Sequence, residues 1–341
     1  MVRAIGGRMA LLGAAAILTT GGQAMAQSVA DFYKGKTVTL TIGTDAGGGY
    51  DQYARTLARH MGRHIPGQPG FIAKNMPGAG GLMATNRIYS VAPKDGTEFG
   101  TAHRGIPIMP LLGQAENLDA SKFTWIGSMN QEISVCYSWH TSPVKTFEDL
   151  RKTELIVGTT GKGADLSSFE QPLINLLGAK LKVIHGYEGG HNIDRAVEQG
   201  EIQGRCGVSW SSMKARNTHW LAEKKVNILV QLGIGKHEDL PNVPTSQELA
   251  KTADDKIILD LLLTPQLIGR PYFAPPGIPA DRARALRDAF NAAMQDPELL
   301  AEADKQKLEI ELIKGEQIEK LINQAYAAPS AVIAKAREAI K

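Results

Sequence analysis

Along much of the chain, short β-branched runs give way to glycine-rich turns and then to apolar residues at helical spacing. Thr37-Val38-Thr39-Leu40-Thr41-Ile42 reads as a strand and Gly47-Gly48-Gly49 as a loop. Ala54, Leu57, Ala58 and Met61 then form one face of a helix that turns Arg55 and Arg59 elsewhere. The unit recurs in looser form. Phe71-Ile72-Ala73 leads into NMPGAGG (Asn75 to Gly81) and a helix from Leu82 to Tyr89, ended by Pro93 and Gly96. Glu98 to Ala102 predicts a third strand, followed by His103, Arg104 and Gly105.

A second series begins after about Trp139. Leu155-Ile156-Val157 reads as a strand, GTTGKGAD (Gly158 to Asp165) as a loop and Leu166 to Leu177 as a helix. Val183-Ile184-His185 leads to GYEGGHN (Gly186 to Asn192) and a helix through Val197, and Ile228-Leu229-Val230 is a further strand. Strands alternating with helices predict α/β layers with mainly parallel pairing. After Pro265 the pattern changes. Tyr272 to Asp281 reads as a loop, Leu286, Ala289, Phe290, Ala293 and Met294 as a helical face, and Glu316 to Ile340 as largely helical.

The first 26 residues stand apart. Arg3 and Arg8 form a short basic region, Met9 to Leu18 an apolar run, and Ala24-Met25-Ala26 a small-residue cleavage site. This is the pattern of a secretory signal peptide, cleaved near Ala26. No Cys follows the cleavage site to carry a lipid, and no later apolar stretch reaches the ~18 residues that a spanning helix needs. An exported, periplasmic product is expected. The 341-residue chain has room for one large domain or two modest ones, with a substantial core. Loss of Arg3 and Arg8 takes the formal charge from +3 to +1, which leaves no bulk attraction for nucleic acid or an anionic membrane. Any anion must be recognised locally.

Cys136 and Cys206 are the two cysteines. In an oxidising compartment they read as a bridged pair, which would stabilise by about 4 kcal/mol in the chain-entropy model; two buried free thiols are the alternative. Their spacing fits neither a C-x-x-C redox site nor a cysteine zinc site.

Phosphate chemistry is the first test of the glycine loops. Lys162 follows Gly161, but Gly163 follows the lysine and Ile156 stands where a P-loop needs its first glycine. The dinucleotide fingerprint fails too, because Gln52 and Met83 occupy the sixth positions counted from Gly47 and Gly78. The backbone physics remains. A helix N-terminus exposes unpaired N–H groups and partial positive charge, and glycine lets an anion approach them. A carboxylate satisfies the same geometry as a phosphate. Four loops share that position: Gly47 to Asp51, Pro77 to Gly81, Thr160 to Asp165 and Gly189 to Asn192. Two lie in each half of the chain, which suggests a cleft lined by backbone donors from two domains.

Within these loops Asp51 reads first as a cap and brace of its helix start. Lys162 and Arg104 are the loop cations able to pair with a ligand carboxylate, unless they are solvated surface charges. His191 is either a ligand contact or a polar helix-start residue. Trp139 and Trp210 read as core residues rather than cleft walls. Catalytic patterns are weak. His60 and His64 lack the glutamate of H-E-x-x-H, Ser209-Trp210-Ser211-Ser212 lacks the G-x-S-x-G elbow, and no carboxylate pair stands out as acid and base. No metal site, cofactor or enzymatic activity is expected.

VTLTIGTDAGGGYDQYAR and NMPGAGG resemble the two N-terminal signatures of the Bug receptors, the extracytoplasmic solute-binding proteins of tripartite tricarboxylate transporters. APKDG (Ala92 to Gly96), SPVKTFEDL (Ser142 to Leu150), GYEGGHNIDRAVEQGEIQG (Gly186 to Gly204), DLPNVPTSQEL (Asp239 to Leu249) and YFAPPGIPAD occupy similar positions. The resemblance covers essentially the whole mature chain. It implies an α/β, type II periplasmic-binding-protein fold, with two α/β domains joined by crossover strands and a ligand cleft between them. The division would be 27–135 and 259–341 for the first domain and 136–258 for the second, after a leader at 1–26. Cys136 and Cys206 would then fall near the crossover strands.

By the same resemblance a ligand carboxylate is held by backbone donors at Ala46, Gly47, Gly48, Gly49 and Asp51 and at Gly78, Ala79, Gly80 and Gly81. The second domain would add Thr160, Gly161, Lys162, Gly163, Gly189 and Gly190. The function implied is capture of a small organic acid (di- or tricarboxylate, or aromatic) and delivery to integral-membrane permease subunits, by a monomer that binds no nucleic acid. A receptor for a signalling system and an exported enzyme on the same scaffold are the alternatives. Three departures stand out. Gly43 and Thr44, followed by Asp45, stand where Pro-Phe is usual before the first glycine loop, Lys162 replaces a small polar residue, and Glu188 replaces a lysine. A cation at Lys162 would suit a second ligand carboxylate.

Overall fold

A computed structural model describes residues 1–2, 27–160 and 167–341; the predicted leader from Arg3 to Ala26 lies outside the described residues. Among the described residues eleven strands form two sheets. In chain order they are β1 (Thr37–Ile42), β2 (Gly70–Asn75), β3 (Glu98–Thr101), β4 (Thr124–Ser128), β5 (Ser134–Trp139) and β6 (Leu155–Gly158). There follow β7 (Leu181–Ile184), β8 (Gly204–Ser209), β9 (Val226–Leu232), β10 (Pro271–Ala274) and β11 (Ile313–Lys314). The first sheet has the order β11-β4-β10-β3-β1-β2 and the second β7-β6-β8-β5-β9.

Burial explains the strand types. β1 lies inside the first sheet, and Val38, Leu40 and Ile42 are all fully buried. β2 is the edge, so it alternates, with Phe71 and Ala73 turned to the core and Ile72 and Lys74 to solvent. Lys74 also discourages edge pairing with another chain. Between β1 and β2 the helix Gly49–Met61 buries Tyr53, Ala54, Leu57 and Met61 against this sheet. The second sheet has its own core, including Val157, Phe169, Leu173, Leu229 and Val230.

The expectation of mainly parallel pairing needs correction. β1 pairs in parallel with β2 and β3, and β6 with β7 and β8. Except for β8, which the pattern did not show, these strands belong to the strand–helix–strand units read from it. The other pairings, β10 with β3 and β4, β11 with β4, and β5 with β8 and β9, are antiparallel, so both sheets are mixed. The expected loop at Tyr272–Asp281 is corrected as well, since Tyr272, Phe273 and Ala274 belong to β10. This strand is fully covered on both faces, and a short all-apolar run shows no alternation to betray it.

The chain passes from the first sheet to the second between Ser128 and Ser134 and returns between Leu232 and Pro271. Cys136 in β5 and Cys206 in β8 form a disulfide between adjacent antiparallel strands, so the free-thiol alternative falls. Behind the crossings, the final helix Ser330–Ala339 packs Ala336 and Ala339 with Ile108 and Leu112 on one side and Ile258 and Leu262 on the other.

Candidate functional site

The ends of the two sheets face each other across a cavity of about 460 Å³. Residues from three of the expected loops line it, with Thr160 from the fourth, whose Gly161 to Asp165 lie outside the described residues. Gly48 and Gly49 start the helix that follows β1. Gly78 to Gly81 line the cavity in the turn after β2, where Gly81 has φ +91°, a conformation that costs glycine little. From the second sheet come Thr160 after β6 and Gly189-Gly190 at the start of the helix Gly190–Glu198.

Other expected residues sit differently. Ala46, Gly47, Asp51 and His191 are not among the lining residues. Asp51 is buried and turned into its own loop. Its carboxylate accepts from the Gly47 amide at 2.9 Å, from Arg55 Nε at 2.9 Å and from Asn75 Nδ2 at 2.8 Å. It therefore holds the Gly47–Gly49 turn against β2 rather than facing the cavity. Gly161, Lys162 and Gly163 lie outside the described residues. Trp139 stacks edge-on against Trp220, and buried Trp210 donates to Asp239 at 2.9 Å; neither walls the cavity.

Four arginines line the cavity: Arg104, Arg205, Arg216 and Arg270. Only Arg104 was singled out from sequence. It leaves the loop after β3 and crosses to the second sheet, donating to Ser134 Oγ at 2.6 Å and Ser209 Oγ at 3.0 Å. Its backbone amide donates to the Tyr50 hydroxyl at 2.9 Å. It is 1 % exposed, its Nε has no hydrogen-bond partner, and among the described residues no carboxylate pairs with it. A buried guanidinium compensated only by hydroxyls is an anion site in waiting.

The other three are compensated. Arg270 pairs with buried Glu132 at 3.2 Å, donates to Ser212 Oγ at 2.8 Å and lies 4.8 Å from the ring centres of both Tyr50 and Tyr53. Burial pushes the Tyr53 hydroxyl up to about 12, so the ring beside Arg270 stays neutral. Arg205 and Arg216 share Asp194, at 3.0 and 3.4 Å. Burial lowers the proton affinity of Arg216, an effect that Asp194 and Asp45 oppose.

Asp45, noted in the sequence only as a departure, reaches across the cleft. A Cβ built on Gly189 would land on its carboxylate, and one built on Gly48 would lie 3.0 Å from its Oδ1. The carboxylate is thus set between the starts of two helices, one from each sheet. Burial raises its pKa above the usual range, against the pull of Arg216 and Arg205 and of nearby His191.

A histidine-rich cluster lies elsewhere, on the outer side of the Gly49–Met61 helix. Ligand atoms of His60, Asp296 and Glu298 fall within 4.8 Å of one another. Arg63 sits among them, bonding Asp296 and Glu298 and donating to His60 Nδ1 at 2.9 Å, while His60 Nε2 faces Glu302 at 2.7 Å. The guanidinium already supplies the positive charge that a metal ion would bring to these groups.

Among the described residues no helix is long and apolar enough to cross a membrane. A two-sheet molecule with an arginine-lined cleft is the architecture of a periplasmic solute-binding protein. A family model described as tripartite tricarboxylate transporter family receptor matches residues 53–337, and the chain belongs to that family. A Cupriavidus necator protein, "UPF0065 protein in gbd 5'region", is 26% identical over 338 residues, with 94% of each chain covered. The periplasmic binding protein BugD superimposes with TM-score 0.71 at 20% identity, covering 89% of this chain and 98% of that one. MatC from Rhodopseudomonas palustris with bound malate gives 0.68 at 19% identity (90% and 99% covered), and an R. palustris protein with adipate gives 0.68 at 18% (89% and 97%). The fold is that of the Bug and TctC receptors, two α/β domains around a cleft.

Proposed function

We propose that this chain is an exported receptor that closes around one small organic acid and delivers it to the membrane subunits of a tripartite transporter. The domains would be 27–135 with 259–341, and 136–258, closing about the two crossings. The observation that carries the reading is Arg104, a buried guanidinium facing the cavity with hydroxyl partners and no described carboxylate. The ligand carboxylate would meet Arg104 and the backbone donors of Gly78 to Gly81. The family membership and the malate and adipate held by two structural neighbours support an organic acid.

A thermal-shift screen of the mature protein tests this. A carboxylate at 100 times its Kd stabilises by about 2.7 kcal/mol, a readable rise in Tm. A response to sugars or amines with none to any carboxylate would overturn the reading.

A further inference from the structure

We infer that Asp45 restricts this receptor to ligands carrying a single carboxylate, by placing the protein's own carboxylate where the second domain would hold a ligand's other anionic end. The inference rests on the carboxylate-receptor reading and deepens it.

The placement comes first. Asp45 leaves the loop after β1 and sets its carboxylate against Gly189, at the start of the nine-residue helix Gly190–Glu198. That helix start belongs to the second sheet and carries no side-chain cap of its own. It is a place on that wall where an incoming anion would gain from unpaired N–H groups. Asp45 already stands there, and the adjoining Gly48 keeps the other side of its carboxylate free of side chain.

Charge compensation leads to the same conclusion. On the second wall, Arg205 and Arg216 have Asp194 and Asp45 as buried or half-buried counter-charges. On the first wall, Arg270 has Glu132. Among the described residues one buried cation lining the cavity is left over, Arg104. A single ligand carboxylate neutralises it. Among the described residues the buried charges of the second wall already balance, so a second carboxylate would sit next to Asp45, and like charges at close range in a desolvated cleft are strongly disfavoured. The far end of the ligand should instead be neutral or a hydrogen-bond donor able to face the Asp45 carboxylate.

The test is isothermal titration of the mature protein and of Asp45→Asn with matched probes: butyrate against succinate, valerate against glutarate, and benzoate against terephthalate. For whichever skeleton binds, the wild type should hold the monocarboxylate at least tenfold tighter than its dicarboxylate partner. Asp45→Asn should cut that preference at least tenfold or reverse it. Asp45→Ala, with a Tm in the absence of ligand recorded for each protein, separates the charge effect from misfolding. A wild-type preference for the dicarboxylate, or an unchanged preference in folded Asp45→Asn, would overturn the inference while leaving the carboxylate reading intact. Failure of every carboxylate to bind either protein would overturn both.

Discussion

Arg104 Nη2 lies 2.6 Å from Ser134 Oγ, so a side chain that starts in the loop after a first-sheet strand ends on the first strand of the second sheet. The contact spans the cleft and, among the described residues, leaves Nε without a partner. Closure of the two walls and presentation of a positive charge are thereby tied to one residue. Arg104→Ala should weaken binding of any responding carboxylate by about 1.5–3 kcal/mol, the range for a hydrogen bond to a charged group, or roughly 10- to 150-fold. Arg104→Lys should recover part of the loss, because an ammonium supplies charge without the planar fork. Isothermal titration reads both, and full affinity in Arg104→Ala would remove it from the site.

Gly189→Ala places a methyl group on the Asp45 carboxylate. The contact across the cleft must then loosen, and ligand affinity should fall by about tenfold, the effect of ~1.4 kcal/mol. Asp45→Ala in the same chain should relieve the clash, so the double variant should bind better than Gly189→Ala alone. Additive losses in the double variant would show that the two residues do not meet.

The Cys136–Cys206 disulfide closes a sequence separation of 70 residues between paired strands. Replacing both cysteines by Ala should lower unfolding stability by about 4 kcal/mol, measured by urea titration under non-reducing conditions. Dithiothreitol should bring the wild type toward the variant and leave the variant itself unchanged.

Asp45 also sets a pH dependence. Its folded pKa is raised from 3.8, chiefly by burial, with Arg216, Arg205 and His191 facing it. A carboxyl whose folded value exceeds its unfolded value favours the fold while protonated. That advantage falls away as pH rises from the unfolded value through the folded one. The ligand-free wild type should therefore lose stability relative to Asp45→Asn over that interval, after which the gap stays constant. Paired denaturant titrations across the acid range check the sign; a gap that closes with rising pH would contradict it.

The sequence carried the parts of this molecule that are local. The β-branched run at Thr37–Ile42, the glycine turn after it and the apolar spacing of the next helix each follow from a few neighbouring residues. So do the glycines that line the cleft at Gly48, Gly49, Gly78 to Gly81, Gly189 and Gly190. The antiparallel pairing escaped, most clearly at β10, which pairs with partners more than 140 residues away and buries both faces. The remaining arginines escaped because a cation's partner is set by tertiary contact, as with Arg270 and Glu132. One signal was available. Arg270 lies in an apolar stretch, between Leu267-Ile268 and Tyr272-Phe273-Ala274, where an unaccompanied charge announces a buried partner. Asp51 shows the reverse case. Its sequence position gave both a brace and a ligand role, and its side-chain bonds to Gly47, Arg55 and Asn75 supply the brace.

The account turns on where a ligand carboxylate binds. A crystal structure of the mature protein with the strongest carboxylate from the thermal-shift screen measures that directly. The account predicts the carboxylate within hydrogen-bond distance of the Arg104 guanidinium and of amides in Gly78 to Gly81. A carboxylate held away from Arg104, with those amides bound only to water, would contradict it.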